Sequence, residues 1–176
     1  YLEKKDNNSA LSNLLMKIED KHEDYNSKSG TINKCIFSTH ASAGLAPTST
    51  SEHTLSCTNG NFKGEIQYTR YDNAAGYSYL VNKYRITKSN GQSGGNKANV
   101  NTYLGWLEGS KIKSDSDKSP DSMKQDGNWH SLTLAVDAPT YSTNREYKVE
   151  FIFDKSGSDP RCNAVHIINA SLEHIF

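Results

Sequence analysis

GEIQYTRYDNAAGYSYLVNKYRITK, residues 64–88, reads as two β-strands folded on a short turn. Ile66 and Tyr68, then Tyr77, Tyr79 and Val81, recur at every second position, the period that sends side chains to one face of a strand. Between the two runs stands Asp72-Asn73-Ala74-Ala75-Gly76, where Asn and Gly tolerate the positive φ of a tight reversal. A hairpin of this kind predicts an antiparallel sheet.

Working outward, further strands are expected at 31–37, 54–58, 99–107, 129–137, 145–154 and 163–175, with turn residues between them. The alternation is clearest in REYKVEFIFD, residues 145–154: Tyr147, Val149, Phe151 and Phe153 fall on one face, Lys148 and Glu150 on the other. Residues 41–51 and 111–128 read as loops. Ahead of them, Leu11, Leu14, Leu15 and Ile18 form the single stripe at helical spacing, opposite Lys17, Glu19, Asp20 and Lys21. The expected fold is all-β: an antiparallel β-sandwich of about seven to nine strands over 31–176, preceded in 1–30 by a tail and one amphipathic helix.

Charge narrows the function classes. Twenty Lys and Arg balance 20 Asp and Glu, so no net basic field gathers nucleic acid, and a nucleic-acid partner is not expected. Ser, Asn, Thr, Gly and Tyr supply the polarity, the residues of adaptable binding loops and of turn-rich β proteins alike. Of three cysteines, Cys57 and Cys162 lie at predicted strand edges and are the expected disulfide, with Cys35–Cys57 the alternative pairing and one thiol left over in either case. A disulfide predicts an oxidising compartment, hence a secreted or cell-surface protein. The chain starts at Tyr1 rather than Met, so a cleaved signal peptide or other upstream segment is expected.

Several constellations were weighed for chemistry. In DSDKSPDSMKQD, Asp115, Asp117, Asp121 and Asp126 space oxygen donors much as a calcium loop does, which makes calcium the one cofactor the pattern admits. Pro120 stands where the sharp turn needs glycine, and Lys118 and Lys124 offset the charge, so a solvated loop is the plainer expectation. No histidine pair has zinc-ligand spacing along the chain. Cys35, His130 and Asp137 could be ordered as a nucleophile set, and Glu65 with Glu150 as paired carboxylates, but no motif selects either. The expectation is therefore a protein that is not an enzyme.

Tyrosine is the feature that points to binding. Ten occur, and the hairpin interleaves Tyr68, Tyr71, Tyr77, Tyr79 and Tyr84 with Arg70, Lys83 and Arg85. Exposed aromatic rings stack on sugars or hold a cationic lipid headgroup. The expected function is a non-catalytic module that recognises a glycan or another cell-surface ligand. Its expected contact residues are Tyr71, Tyr77, Tyr79, Tyr84, Arg70 and Arg85, with Trp106 and Trp129 beside them.

A leading helix over Leu11–Ile18 followed by YDNAAGYSYLVNKY resembles, in layout, the sandwich-type pore-forming cytolysins of the actinoporin kind and their lectin relatives. That resemblance implies membrane contact, with aromatics on a lipid headgroup and an inserting helix. This helix is more acidic than such a role prefers, and three cysteines depart from the pattern. A third expectation is a pilus-like subunit whose helix continued upstream into a hydrophobic anchor.

Overall fold

The computed structural model describes residues 49–168, which lie in the second of the two units into which the chain divides, Tyr1–Ala41 and Ser42–Phe176. The predicted helix, the strand at 31–37, Cys35 and the last residues of the 163–175 strand lie outside the described residues. Eight strands are present: β1 (Ser49–Asn59), β2 (Phe62–Asn73), β3 (Gly76–Lys88), β4 (Asn99–Glu108), β5 (Lys111–Lys118), β6 (His130–Pro139), β7 (Thr143–Ile152) and β8 (Arg161–Ile168). They form two antiparallel four-stranded sheets, ordered β1-β2-β3-β6 and β5-β4-β7-β8.

The hairpin that opened the sequence reading is β2–β3. Its turn is held by Asn73, whose Oδ1 accepts hydrogen bonds from the amides of Ala75 (2.8 Å) and Gly76 (3.1 Å). Gly76 sits at φ 149°, where an added Cβ would meet the Ala138 carbonyl oxygen. Strand β7 shows the predicted alternation: Tyr147, Val149 and Phe151 are fully buried, as is Phe153 just beyond it.

One core joins the two sheets. Tyr68 and Tyr79 of the first sheet meet Tyr147 of the second at ring-centroid distances of 4.7 and 4.8 Å. Farther along, Phe62 stacks on Phe153 at 5.0 Å. Gly64 of β2 lies directly under the Phe151 ring. The hydrophobic burial of these rings is the main favourable term holding the sheets together.

Two seams close the sides. On one, Cys57 of β1 is bonded to Cys162 of β8, 105 residues on, and Asn59 Nδ2 donates to the Arg161 carbonyl (2.8 Å). On the other, strand β5 occupies residues read from sequence as the start of a loop. Its two inward carboxylates act as edge acceptors: Asp115 Oδ2 takes the Asp137 amide at 2.9 Å, and Asp117 Oδ2 takes the Ala135 amide at 3.0 Å. Both amides belong to β6, the edge strand of its sheet, and the two carboxylates cover that edge.

Replacing Asp117 with Ala removes the carboxylate to which the amide of buried Ala135 donates and should cost about 1–3 kcal/mol. Urea denaturation checks this; a change within about 0.3 kcal/mol would mean that water substitutes for the carboxylate.

Candidate functional site

The strand directions sort the loops into two ends. The short turns 74–75 and 109–110 and residues 140–142 lie at one end, together with Ser49 and Ile168. The longer connections 89–98, 119–129 and 153–160 gather at the other. Long loops on a rigid two-sheet frame are the usual place for binding residues.

Gln125 organises the long-loop end. It is only 2% exposed, and its amide Nε2 donates to the carbonyls of Gly95 (3.0 Å) and Asp154 (2.9 Å), while Oε1 accepts from the Asp154 amide (3.1 Å). Its own backbone amide donates to Asn96 Oδ1 at 3.0 Å. One side chain thus ties three loops, each buried hydrogen bond contributing roughly 1 kcal/mol. The Tyr84 hydroxyl accepts from the Lys124 amide at 2.7 Å, and Gly127 donates to the Ile86 carbonyl at 2.9 Å, which lays 123–129 alongside the end of β3.

Between these loops lies an open pocket of about 410 Å³ lined by Thr87, Lys88, Gly94, Asn96, Gln125, Asp126 and Gly127. Beside it, on the outer face of β3, Trp129 is half-buried under two cations, with the Arg85 guanidinium 4.6 Å and the Lys83 ammonium 5.2 Å from its ring centroid. Arg85 Nε donates to Glu65 Oε2 at 2.7 Å and Lys63 reaches Glu65 Oε1 at 3.0 Å. These bonds, that from Arg85 foremost, hold the Glu65 carboxyl below its ordinary range, so it stays ionised and keeps the guanidinium fixed. Asp126 is likewise lowered, chiefly by His130, whose Nε2 lies 2.8 Å from Oδ1.

The structure divides the residues selected from sequence. Trp129 and Arg85 stand together, each two residues along the chain from a residue of the pocket lining, Gly127 and Thr87 respectively. Arg70, Tyr71 and Tyr77 lie at the opposite end of the hairpin; Tyr77 and Arg85 are eight residues apart on β3, roughly 26 Å. There the Tyr77 ring lies between Arg145 (3.4 Å) and Arg70 (5.8 Å), and Arg70 is paired with Asp72 through two 2.8 Å bonds. Tyr71 pairs with Ser78 on the outer face. Tyr79, Tyr84 and Trp106 are core residues, buried between the sheets, and their rings are not open to a ligand from solvent.

The physical reason for Tyr84 is a bulge. Register shifts at Gln67/Tyr68 and Val81/Lys83 leave Asn82 as an extra residue, exposed and bonded to Thr69 Oγ1, and turn Tyr84 and Ile86 inward.

Of the acidic set, Asp115 and Asp117 point at β6, Asp126 at His130, and Asp121 is exposed. They do not converge. Among the described residues no three of His, Cys, Asp and Glu are grouped to hold a metal ion. Neither exposed Asn96 nor buried Gln125 is marked by the sequence; an amide in a polar loop carries no pattern that distinguishes a buried one from an exposed one.

No protein-family model, curated protein or solved structure matches the chain. The chemistry of the site therefore rests on its own residues.

Proposed function

We propose that this chain is a non-catalytic, β-sandwich binding module, secreted or displayed at the cell surface, that takes a glycan at its long-loop end. The observation that carries this reading is Trp129, an indole fixed beside an open pocket rimmed by amide, hydroxyl and carboxylate groups. Sugars present apolar C–H faces and a ring of hydroxyls, and an aromatic platform with neighbouring Asn96, Asp126 and Thr87 answers both. The Gln125 bonds fix the loops before a ligand arrives, which lowers the entropic cost of binding. The Cys57–Cys162 bond supports the extracellular part of the reading.

A glycan array followed by calorimetry on the best ligand tests the proposal. Trp129→Ala is expected to weaken binding about tenfold or more, a loss of roughly 1.4 kcal/mol. Tyr71→Ala, at the far end of the hairpin, should leave binding unchanged. An array without ligands, or a ligand that ignores Trp129 and depends on Tyr71, overturns the site. Leakage of dye from phosphatidylcholine–sphingomyelin vesicles would instead favour the pore-forming reading, which rests on residues 11–18.

A further inference from the structure

At the disulfide seam, the inward faces of β1 and β8 run in opposite directions. His53 lies four residues before Cys57, and His166 lies four residues after Cys162. Equal offsets on opposed strands bring the two imidazoles to the same level, roughly 13 Å above the staple. Their ring centroids are 5.4 Å apart at an interplanar angle of 57°.

Each ring has one nitrogen engaged with an oxygen. His53 Nε2 lies 2.7 Å from Ser51 Oγ, and His166 Nδ1 lies 2.6 Å from the Tyr68 hydroxyl. Neither His53 Nδ1 nor His166 Nε2 has a hydrogen-bond partner among the described residues.

We infer that His53 and His166 form a two-histidine site for a first-row transition-metal ion held in near-tetrahedral geometry. Two imidazoles on one tetrahedral ion at about 2.0–2.1 Å place their centroids roughly 5–5.5 Å apart, which the observed separation meets. A ligating histidine characteristically gives its second nitrogen to an oxygen that fixes its tautomer; Ser51 and Tyr68 stand in those positions. With Nε2–H donated to Ser51 and Nδ1–H to Tyr68, the open nitrogens carry the lone pairs, and binding releases no proton from either ring. Water completes the coordination. Cu²⁺, the tightest binder of nitrogen donors in the Irving–Williams order, serves as the probe.

Arg70 lies near the pair, and Asp72 offsets its charge by accepting two bonds of 2.8 Å. The remaining titratable neighbour is Tyr147, packed behind Tyr68.

The inference is independent of the glycan reading. Its test is titration of the full chain, in a Cys35→Ser background that removes a competing thiol, with Cu²⁺ in a non-coordinating buffer. One ion should bind with a Kd on the order of micromolar, and its electron paramagnetic resonance spectrum should show two imidazole nitrogens. His53→Ala and His166→Ala should each weaken binding at least about tenfold and remove one nitrogen, while His130→Ala leaves it intact. Tyr68→Phe, which keeps both ligands and removes the oxygen holding His166, should weaken it roughly tenfold.

Circular dichroism of the metal-free variants separates lost ligands from lost fold. Should either histidine variant unfold, His→Gln at the same position replaces it in the titration. Absence of binding up to about 1 mM Cu²⁺, or binding that survives both single replacements in folded protein, overturns the inference.

Discussion

Removing the Cys57–Cys162 bond by the double replacement Cys57→Ala/Cys162→Ala should lower unfolding free energy by roughly 4–5 kcal/mol. The estimate comes from the 105 residues the bond closes, since cross-linking so long a loop removes much conformational freedom from the unfolded chain. For a domain of ordinary stability that is a large fraction of the whole. Equilibrium urea denaturation, with both proteins under non-reducing conditions, measures it. A loss below about 1 kcal/mol would mean that the β1–β8 seam is held by its packing and by Asn59 rather than by the covalent link. The two seams should then differ in kind: the disulfide seam acts mainly through the unfolded state, the Asp115–Asp117 seam through native hydrogen bonds that a single carboxylate replacement removes.

The second large effect is expected at Gly64. A Cβ there would lie 2.3 Å from Cγ of Phe151 and 2.4 Å from Cδ1, with Cδ2 at 2.7 Å, so even alanine forces a fully buried ring to move. Close-packed interiors give little, and overpacking of this kind costs about 1–3 kcal/mol or more. Valine should prevent folding altogether. The mechanism has its own control: in the double variant Gly64→Ala/Phe151→Leu, the combined loss should fall below the sum of the single losses by about 1 kcal/mol or more. Simple additivity would show that the glycine matters for its backbone rather than for the ring above it.

Much of this architecture was legible in the residues. Period-2 alternation identified β2, β3 and β7 and their apolar inward residues Ile66, Tyr68, Tyr79, Val81, Tyr147, Val149 and Phe151, because a strand with one face in a core must alternate; the buried polar residues Glu65, Thr69, Arg145, Glu146 and Lys148 carry no such signal. The staple was legible too, as two cysteines at strand edges. Strand β5 was not: KIKSDSDK has the composition of a solvated loop, and its acidic alternation serves the β6 edge rather than a hydrophobic face. The candidate site was less legible than the fold. Parity along β3 predicts which tyrosines share a face only while the register is unbroken, and the extra residue at Asn82 reverses it for Tyr84. Trp129 and Arg85 stand out for their chemistry, yet their pairing, and the tie that Gln125 makes between the loops, depend on long-range contacts that no local pattern encodes.

The grouping of Ser49 and Ile168 at the short-turn end has a practical corollary for presentation. Strands of 10 to 13 residues such as β3, β4 and β7 put roughly 33–43 Å between that end and the loops carrying Trp129. A covalent anchor at position 49 or 168, whether a fusion partner or a sensor surface, would hold the head by its base and leave Trp129 facing outward. Anchoring through Lys88 or Lys124 would orient it the opposite way, so two immobilisation chemistries on one protein can report whether the ligand meets the head at its far pole.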